Sequence, residues 1–471
     1  MRVLSWNLGL RPSHTRIPFK YGEACLTDCP QALLWTEFLI DGQNVSGYAA
    51  DCLPPLWFDK DSSRTFDQQI EDMQAVIAVA SQQLLEHGEF ENLFVALECL
   101  GVSSFDLSRP RLLHSFGVSM AERCIIDALC RYHSIPFRKL LSSGRLYGDQ
   151  SLEVKAATGE GIRLVPWQTD LSRSQIYVRH TVGMGDPLTT ASIPETELIN
   201  DGRPQSLEAY LKEDGIRFLK IKVGNRGAED VNRIKEIDRL LTLSGISEYG
   251  ITIDGNEQYE TMGAFIALMD ELNSDHSLTK FMSSVMAIEQ PIVRSKAFER
   301  SSLDGIDTLV RTTPVIIDES DSEFSSCINA LSLGYSGTSS KSCKGVTKAL
   351  VNRQLIADRN RTGERPYLMT GEDLCCVGIV SLQADLALVS AMGLEHVERN
   401  GHHYHPGLAY LPESSYDSVL SEHFDLYQVV GGIPSVKVEA GQLRLESVNS
   451  SGFGYSALLE FDTYRIVAHS D

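Results

Sequence analysis

Four short apolar runs in the middle of the chain, each finished by a charged residue, restrict the possible folds more than any other feature. They are Arg217-Phe-Leu-Lys-Ile-Lys-Val-Gly224, Tyr249-Gly-Ile-Thr-Ile-Asp254, Val285-Met-Ala-Ile-Glu-Gln-Pro291 and Pro314-Val-Ile-Ile-Asp-Glu-Ser320. A fifth, more polar stretch, Gly334-Tyr-Ser-Gly-Thr-Ser-Ser-Lys341, ends on a lysine. Lys222, Asp254, Glu289 and Asp318 follow one another at steps of 32, 35 and 29 residues, and Lys341 comes 23 residues later. A buried strand, a helix and two loops together occupy about 30 residues. Val/Ile-rich runs at that interval read as parallel strands in repeated βα units. Closed into a barrel, such units carry the polar residue at each strand's carboxyl end to one mouth, where barrels keep their chemistry.

Three carboxylates meeting at that mouth repel one another unless a cation lies among them. A hard divalent ion with oxygen ligands meets the need, and Mg²⁺ suits a partly hydrated site with few protein ligands. Asp254, Glu289 and Asp318 are the candidate ligands. Lys220 and Lys222 stand two apart on one run, so their side chains share a face, and in a barrel that face is the interior. Interior lysines need acidic partners, which the carboxylates supply. The ion's field and a second lysine both push a lysine pKa down, towards values useful for proton transfer. The constellation reads as metal plus base: the ion holds a substrate carboxylate while a lysine takes the proton beside it.

Lys220-Ile-Lys222, Asp254-Gly-Asn256, Glu289-Gln-Pro291, Asp318-Glu-Ser320 and Lys341-Ser-Cys-Lys344, in that order, resemble the enolase superfamily. Their spacing is similar to the muconate-lactonizing branch of the mandelate racemase/muconate lactonizing enzyme family. That branch has Lys-x-Lys on the second strand, a carboxylate on each of strands three to five, and a lysine on the sixth. The resemblance implies a modified (β/α) barrel under an α+β capping domain, a Mg²⁺ cofactor, and abstraction of a proton alpha to a carboxylate to give an enediolate. It makes Lys222 and Lys341 acid/base groups with Lys220 as the neighbour that tunes Lys222. Asn256, Glu319 and Lys344 would support this shell. Gly345 matches the family's next glycine, but Val346 departs from it. Glu372 and Asp373 follow the seventh run, where a mandelate-racemase-type site would carry a histidine base, and that absence points away from that branch.

The remaining sequence is assigned around this centre. A chain of 471 residues suggests two to three domains. Residues 1–174 are expected to form the α+β capping domain, 175–409 the barrel, and 410–471 a segment returning to the cap. Asp41-Gly42 between two β-prone runs predicts a hairpin. Apolar steps of three and four predict helices over 66–100 and from Ser119 to Leu141. Arg16-Ile-Pro-Phe-Lys-Tyr-Gly22 resembles the family's early loop over the active site, and otherwise reads as an ordinary surface loop. The first, seventh and eighth barrel strands are placed at Gln175–Gly183, Tyr367–Asp373 and Leu394–Glu398. His180 near the end of the first is either a pocket residue or a structural one. His402 and His403, with His405, sit on a glycine-bounded loop and would orient substrate, bind a second metal or simply form rim hydrogen bonds.

A net charge of −21 argues against nucleic acids and anionic membranes as partners. The ten cysteines form no Cys-x-x-Cys pair, the chain starts without a signal-peptide core, and no apolar run nears the ~18 residues of a membrane span. A cytoplasmic enzyme acting on a small carboxylate is the expectation, with homo-oligomerisation left open. Two bases would make it an epimerase or racemase. One base would make it a cycloisomerase, or a dehydratase or other β-eliminating lyase if a group leaves. The competing classes are a metal-binding barrel without catalysis and a Mg²⁺ phosphotransferase, and the latter lacks its Gly-rich phosphate loop.

Overall fold

In the computed structural model the described residues are 1–21, 24–101, 108–157, 159, 161–363, 365–457 and 460–470. The first five strands are β1 (Arg2–Arg11), β2 (His14–Tyr21), β3 (Ala24–Asp28), β4 (Gln31–Ile40) and β5 (Gln43–Cys52). β4 and β5 pair from Ile40↔Gln43 to Gln31↔Cys52. Their turn is Asp41-Gly42, both residues at positive φ (47° and 83°), the backbone a two-residue hairpin of right-handed twist requires. β1 lies antiparallel to β4, and β2 pairs with β3 as a separate arm. The segment Arg16–Tyr21, read from sequence as a loop, is therefore a strand; Gly22 lies outside the described residues.

Helices α1 (Phe66–His87), α2 (Leu93–Cys99) and α3 (Arg111–His133) follow. Thr65 and Gln68 close a reciprocal capping box at the start of α1, and Gly88 at φ 86° ends it, so the stretch 66–100 is two helices. The helix expected from Ser119 to Leu141 likewise divides into α3 and Phe137–Ser142. Ser134 adopts a left-handed conformation at φ 53°, and Pro136 two residues on has no N–H to continue the ladder. α3 lies so close beneath β5 that a Cβ on Gly47 would stand 2.0 Å from the carbonyl oxygen of Cys124.

A small hairpin, β6 (Leu152–Lys155) with β7 (Gly161–Leu164), leads to the barrel. Its strands are β8 (Gln175–Val182), β9 (Phe218–Lys222), β10 (Gly250–Asp254), β11 (Val285–Glu289), β12 (Val315–Ile317), β13 (Gly337–Ser340), β14 (Leu368–Gly371) and β15 (His396–Arg399). Each pairs in parallel with the next, and β15 pairs with β8 to close the ring. All eight lie where the apolar runs placed them. Leu219, Ile221, Ile251, Ile253, Ile288, Val315 and Ile317 join the buried hydrophobic core, and each fully buried side chain of this kind contributes about 1.5–3 kcal/mol. The alternate residues turn inwards, and among them are charged ones. After the barrel come β16 (Tyr427–Val430) with β17 (Ile433–Val436), then β18 (Gln442–Arg444), which lies antiparallel on β8. β19 (Arg465–His469) returns to the first sheet and pairs with β1. Among the described residues no helix is long and apolar enough to cross a membrane.

The contact at Gly47 is a backbone-on-backbone approach that a side chain cannot relieve by turning aside. Gly47→Ala should lower unfolding free energy in a urea titration by about 1–3 kcal/mol, the usual cost of overpacking. A loss under about 0.5 kcal/mol would contradict the packing described.

Candidate active site

The mouth at the carboxyl ends of β9 to β15 holds a cavity of about 40 Å³. Lys220, Lys222, Asp254, Asn256, Asp318, Glu319 and Lys341 line it from the barrel, with Asp373, Glu398 and Asn400 on the far side. Phe19 of β2, Pro54 and Trp57 form its roof, and Leu374 and Cys375 complete the wall. Pairing explains the convergence: Asp254 is opposite Lys222 on one side and Glu289 on the other, all at strand ends.

Lys220 stands at the centre. Its Nζ lies 2.8 Å from Glu289 Oε1, 3.0 Å from Glu372 Oε2, and 3.2 Å from both Asp254 Oδ2 and Glu398 Oε2. Burial alone would strip its proton, but the four carboxylates hold its pKa well above the usual lysine value. In the fold the charge of Lys220 neutralises the four acids around it. Glu372 also meets the guanidinium of the buried Arg179, and Glu398 accepts from Thr181 Oγ1, from Asn400 Nδ2 at 3.1 Å and from Asp373 N at 3.0 Å.

Asp318 is held differently. Lys341 Nζ donates to Oδ2 at 2.6 Å, and Lys344 Nζ (3.1 Å) and Ser339 Oγ donate to Oδ1. Burial opposes ionisation, but Lys341, Lys344 and Lys220 hold this carboxyl well below the usual range. Lys341 stays an ammonium for the same reason: burial works against it, and Asp318 outweighs burial. The Lys341 ammonium also sits 4.5 Å from the centre of the Trp57 ring. Lys344 lies behind Asp318, bonded to Ser339 and away from the cavity wall, which suits a supporting role.

Lys222 contrasts with both. It is partly exposed, its one described hydrogen bond runs 3.5 Å to Asn256 Oδ1, and it forms no ion pair among the described residues. Asn256 turns at φ 44°, reaching Glu319 Oε1 with its amide at 3.3 Å while its backbone N–H donates to Asp254 Oδ1 at 2.7 Å.

The leftover oxygen atoms test whether a divalent cation fits here. As the side chains stand, no group of three or more His, Cys, Asp or Glu among the described residues is disposed to hold a metal, because Lys220 occupies the space between the acids. The donors nevertheless suit a hard cation. Glu289 Oε2 and Glu319 Oε2 are buried without a partner. Burial, then the charge of Glu372, pushes Glu289 well above the ordinary carboxyl value, and burial with Asp318 pushes Glu319 up to about 7. Positive charge is wanted at both. Lys220 keeps Glu372 and Glu398 as partners if Asp254 and Glu289 turn to a cation.

His402 and His403 do not line the cavity. His402 Nε2 meets His180 Nδ1 at 3.2 Å, and His403 Nδ1 meets the Tyr210 hydroxyl at 2.6 Å. The three imidazoles and Tyr210 pack as one ring cluster beside the mouth, and burial lowers all three histidine pKa values. Asp373 is turned towards Arg399 (3.3 Å) and the amides of Cys376 and Asn400. Glu398 has a weaker signal in the sequence than Glu289, because the run it follows, Leu394-Glu-His-Val, is broken by polar residues. Trp57 had no legible signal, since its place over Lys341 depends on Arg294, which donates to the carbonyl oxygens of Trp57 (3.0 Å) and Phe58 (3.4 Å).

No protein-family model matches this sequence, and no curated protein matches it. Solved structures do match. The muconate lactonizing enzyme of Pseudomonas fluorescens, complexed with muconolactone, is 15% identical over 98% of both chains with a TM-score of 0.61. The dipeptide epimerase of Enterococcus faecalis, complexed with Mg and L-Leu-L-Tyr, is 14% identical over 96% of this chain and 99% of its own, at 0.62. The N-succinyl Arg/Lys racemase of Bacillus cereus is 14% identical over 100% and 99%, at 0.64. The chain shares its fold with these three enzymes over nearly its whole length.

The raised pKa of Glu319 makes a pH prediction for metal-free protein. A carboxyl that holds its proton more tightly folded than unfolded stabilises the fold fully below its unfolded value of 4.5 and loses that contribution as pH rises through about 7. In chelator-treated protein, Glu319→Gln should flatten the decline in urea stability between pH 4.5 and 7. A decline identical to that of the unaltered protein would assign the effect elsewhere.

Proposed function

We propose that this protein is a Mg²⁺-dependent enzyme that removes the proton alpha to the carboxylate of a small acid, in the manner of an epimerase or racemase. The observation that carries the reading is one cavity lined by both Lys222 and Lys341, with Asp254 and Asp318 beside them. The fold shared with a dipeptide epimerase, a racemase and a lactonizing enzyme supports it. Asp254, Glu289 and Asp318 would hold the magnesium. When bound, the ion supplies positive charge beside the substrate carboxylate, where negative charge builds as the proton leaves.

The two lysines are unequal, and that sets their roles. Lys222, whose described hydrogen bond runs to Asn256 and which forms no ion pair among the described residues, is assigned the role of base. It takes the alpha proton, the C–H electron pair passes towards the carboxylate, and an enediolate forms. Lys341 is kept as an ammonium by Asp318 and holds a proton to return to the carbon. Lysines ending strands two and six of eight approach the axis from opposite sides, so the proton returns to the other face. Lys220 remains charged and fixes the acids in place.

A second reading has a specific observation behind it. Lys341 is tied to Asp318 and covered by Trp57, which suits a fixed charge that never transfers a proton. Lys222 would then act alone, as in a cycloisomerase or a β-eliminating lyase. The cavity of about 40 Å³ is far below the roughly 300–1,000 Å³ of a pocket for a small ligand, so substrate access requires Phe19, Pro54 and Trp57 to part from the barrel.

Two experiments test the proposal. Glu289→Gln should weaken Mg²⁺ binding measured by calorimetry by more than about tenfold, and unchanged affinity would remove Glu289 from the ligand set. A panel of acid sugars, dipeptides and N-acyl amino acids incubated in D₂O should reveal an alpha-exchanging substrate whose inverted product carries deuterium first. Lys341→Ala should then spare exchange of the isomer served by Lys222 and abolish that of its mirror form. An equal rate loss on every substrate would instead make Lys341 a fixed charge and favour the cyclising or eliminating reading.

A further inference from the structure

The helix Val346–Thr362 starts directly behind the Lys341–Lys344 turn, and its amino end is poorly provided for by its own sequence. Gly345 at the cap position offers no side chain, and the first turn contains no acidic residue. It contains Lys348, and Lys344 precedes it, so two ammonium groups crowd the positive end of a 17-residue helix. The compensation comes from the capping region. Glu122, on α3 and 1% exposed, accepts from Val346 N through Oε2 at 2.8 Å and from Thr347 N through Oε1 at 2.7 Å. Gly345 sits at φ 119°, and a Cβ there would come within 3.5 Å of Glu122 Oε2. Tyr147 adds a second tie, its hydroxyl 2.9 Å from Thr347 Oγ1.

Between Lys341 and this anchored end there is no slack. Lys344 N donates to Lys341 O and Gly345 N to Ser342 O, each at 3.0 Å, so the segment is one tight turn. Its front is pinned by Asp385, which accepts from Ser342 N at 3.0 Å. We infer that Glu122 is a positioning residue, a carboxylate lent by the capping region to the barrel that fixes the Lys341–Lys344 turn and so aims Lys341 at the cavity under Trp57. The inference rests on the proposed role of Lys341 for its catalytic meaning, but not for its test.

The test reads the position of Lys341 without substrate. In protein labelled with 5-fluorotryptophan, the ¹⁹F resonance of Trp57, assigned by its loss in Trp57→Phe, reports the ammonium 4.5 Å from its ring. Lys341→Met gives the resonance for a missing ammonium. Glu122→Gln should move the Trp57 signal towards that reference, and amide hydrogen exchange over residues 341–348 should quicken by about tenfold or more, the factor expected for losing a charge-assisted hydrogen bond. Glu122→Ala should do both more strongly; if it does not fold, Glu122→Gln carries the test alone. A helix cap with no influence on Lys341 would speed exchange but leave the Trp57 signal still. That outcome, or unchanged exchange in Glu122→Gln, overturns the inference. Because neither reading involves turnover, a failure of the proposed chemistry would show separately, as absent alpha exchange with an unperturbed Trp57 signal in the unaltered protein.

Discussion

Everything at the barrel mouth depends on one ammonium group surrounded by acids. Lys220 is buried at 3% exposure, and an isolated charge at that depth would be driven to neutrality. Four carboxylates within 3.2 Å reverse the preference. The dependence runs both ways: without Lys220, Asp254, Glu289, Glu372 and Glu398 would face one another in a water-poor interior. Arg179 and Thr181 on β8 complete the set by serving Glu372 and Glu398. Barrel interiors of this type are usually filled by branched apolar side chains. Here the layer nearest the mouth is ionic, and its order comes from pairing rather than from packing.

That layer was partly legible in the sequence. The interval of about 30 residues between apolar runs announced the barrel, because a βα unit has a nearly fixed length and strand alternation fixes which side chains turn inwards. Lys220, Lys222, Asp254, Asp318 and Lys341 were placed on one cavity by that logic, and the fold brings them there. The same logic reached Glu372 only weakly and missed Glu398. The seventh and eighth runs are short and broken by polar residues, so their final acids do not stand out. His402 and His403 show the opposite failure. A glycine-bounded histidine loop reads as chemistry, yet the rings pack on His180 and Tyr210. Nothing local could reveal that, since His180 lies more than 220 residues upstream of His402.

The roof was the least legible part, for a physical reason. Barrel residues are located by a repeat; Phe19, Pro54 and Trp57 are located only by what they dock on. Arg294 follows the strand that ends in Glu289, takes Glu257 in a bidentate pair (2.6 and 2.8 Å), and with the same guanidinium holds the Trp57-Phe58 backbone. Arg16, on β2 itself, does similar work, bonded to Asp201 and to the carbonyl oxygen of His403. Each clamp joins residues far apart in sequence, and no periodicity encodes it.

The way the chain closes on itself also bears on how it is made. β8 gains its second neighbour only from β15, and β1 gains its outer neighbour only from β19, with the backbone of Trp6 bonded to Ser470. A ribosome delivers these partners in order, so Arg179 and Lys220 emerge long before Glu372 and Glu398 do. During that interval Lys220 has only Asp254 and Glu289 of its four acids and Arg179 lacks Glu372, so the ionic layer at the mouth is incomplete. The first sheet waits still longer for its last strand. Pairings of such sequence separation are slow to form, and here neither half can settle early. The nascent chain is therefore expected to stay loosely structured until synthesis is nearly finished, and then to fold as one cooperative unit.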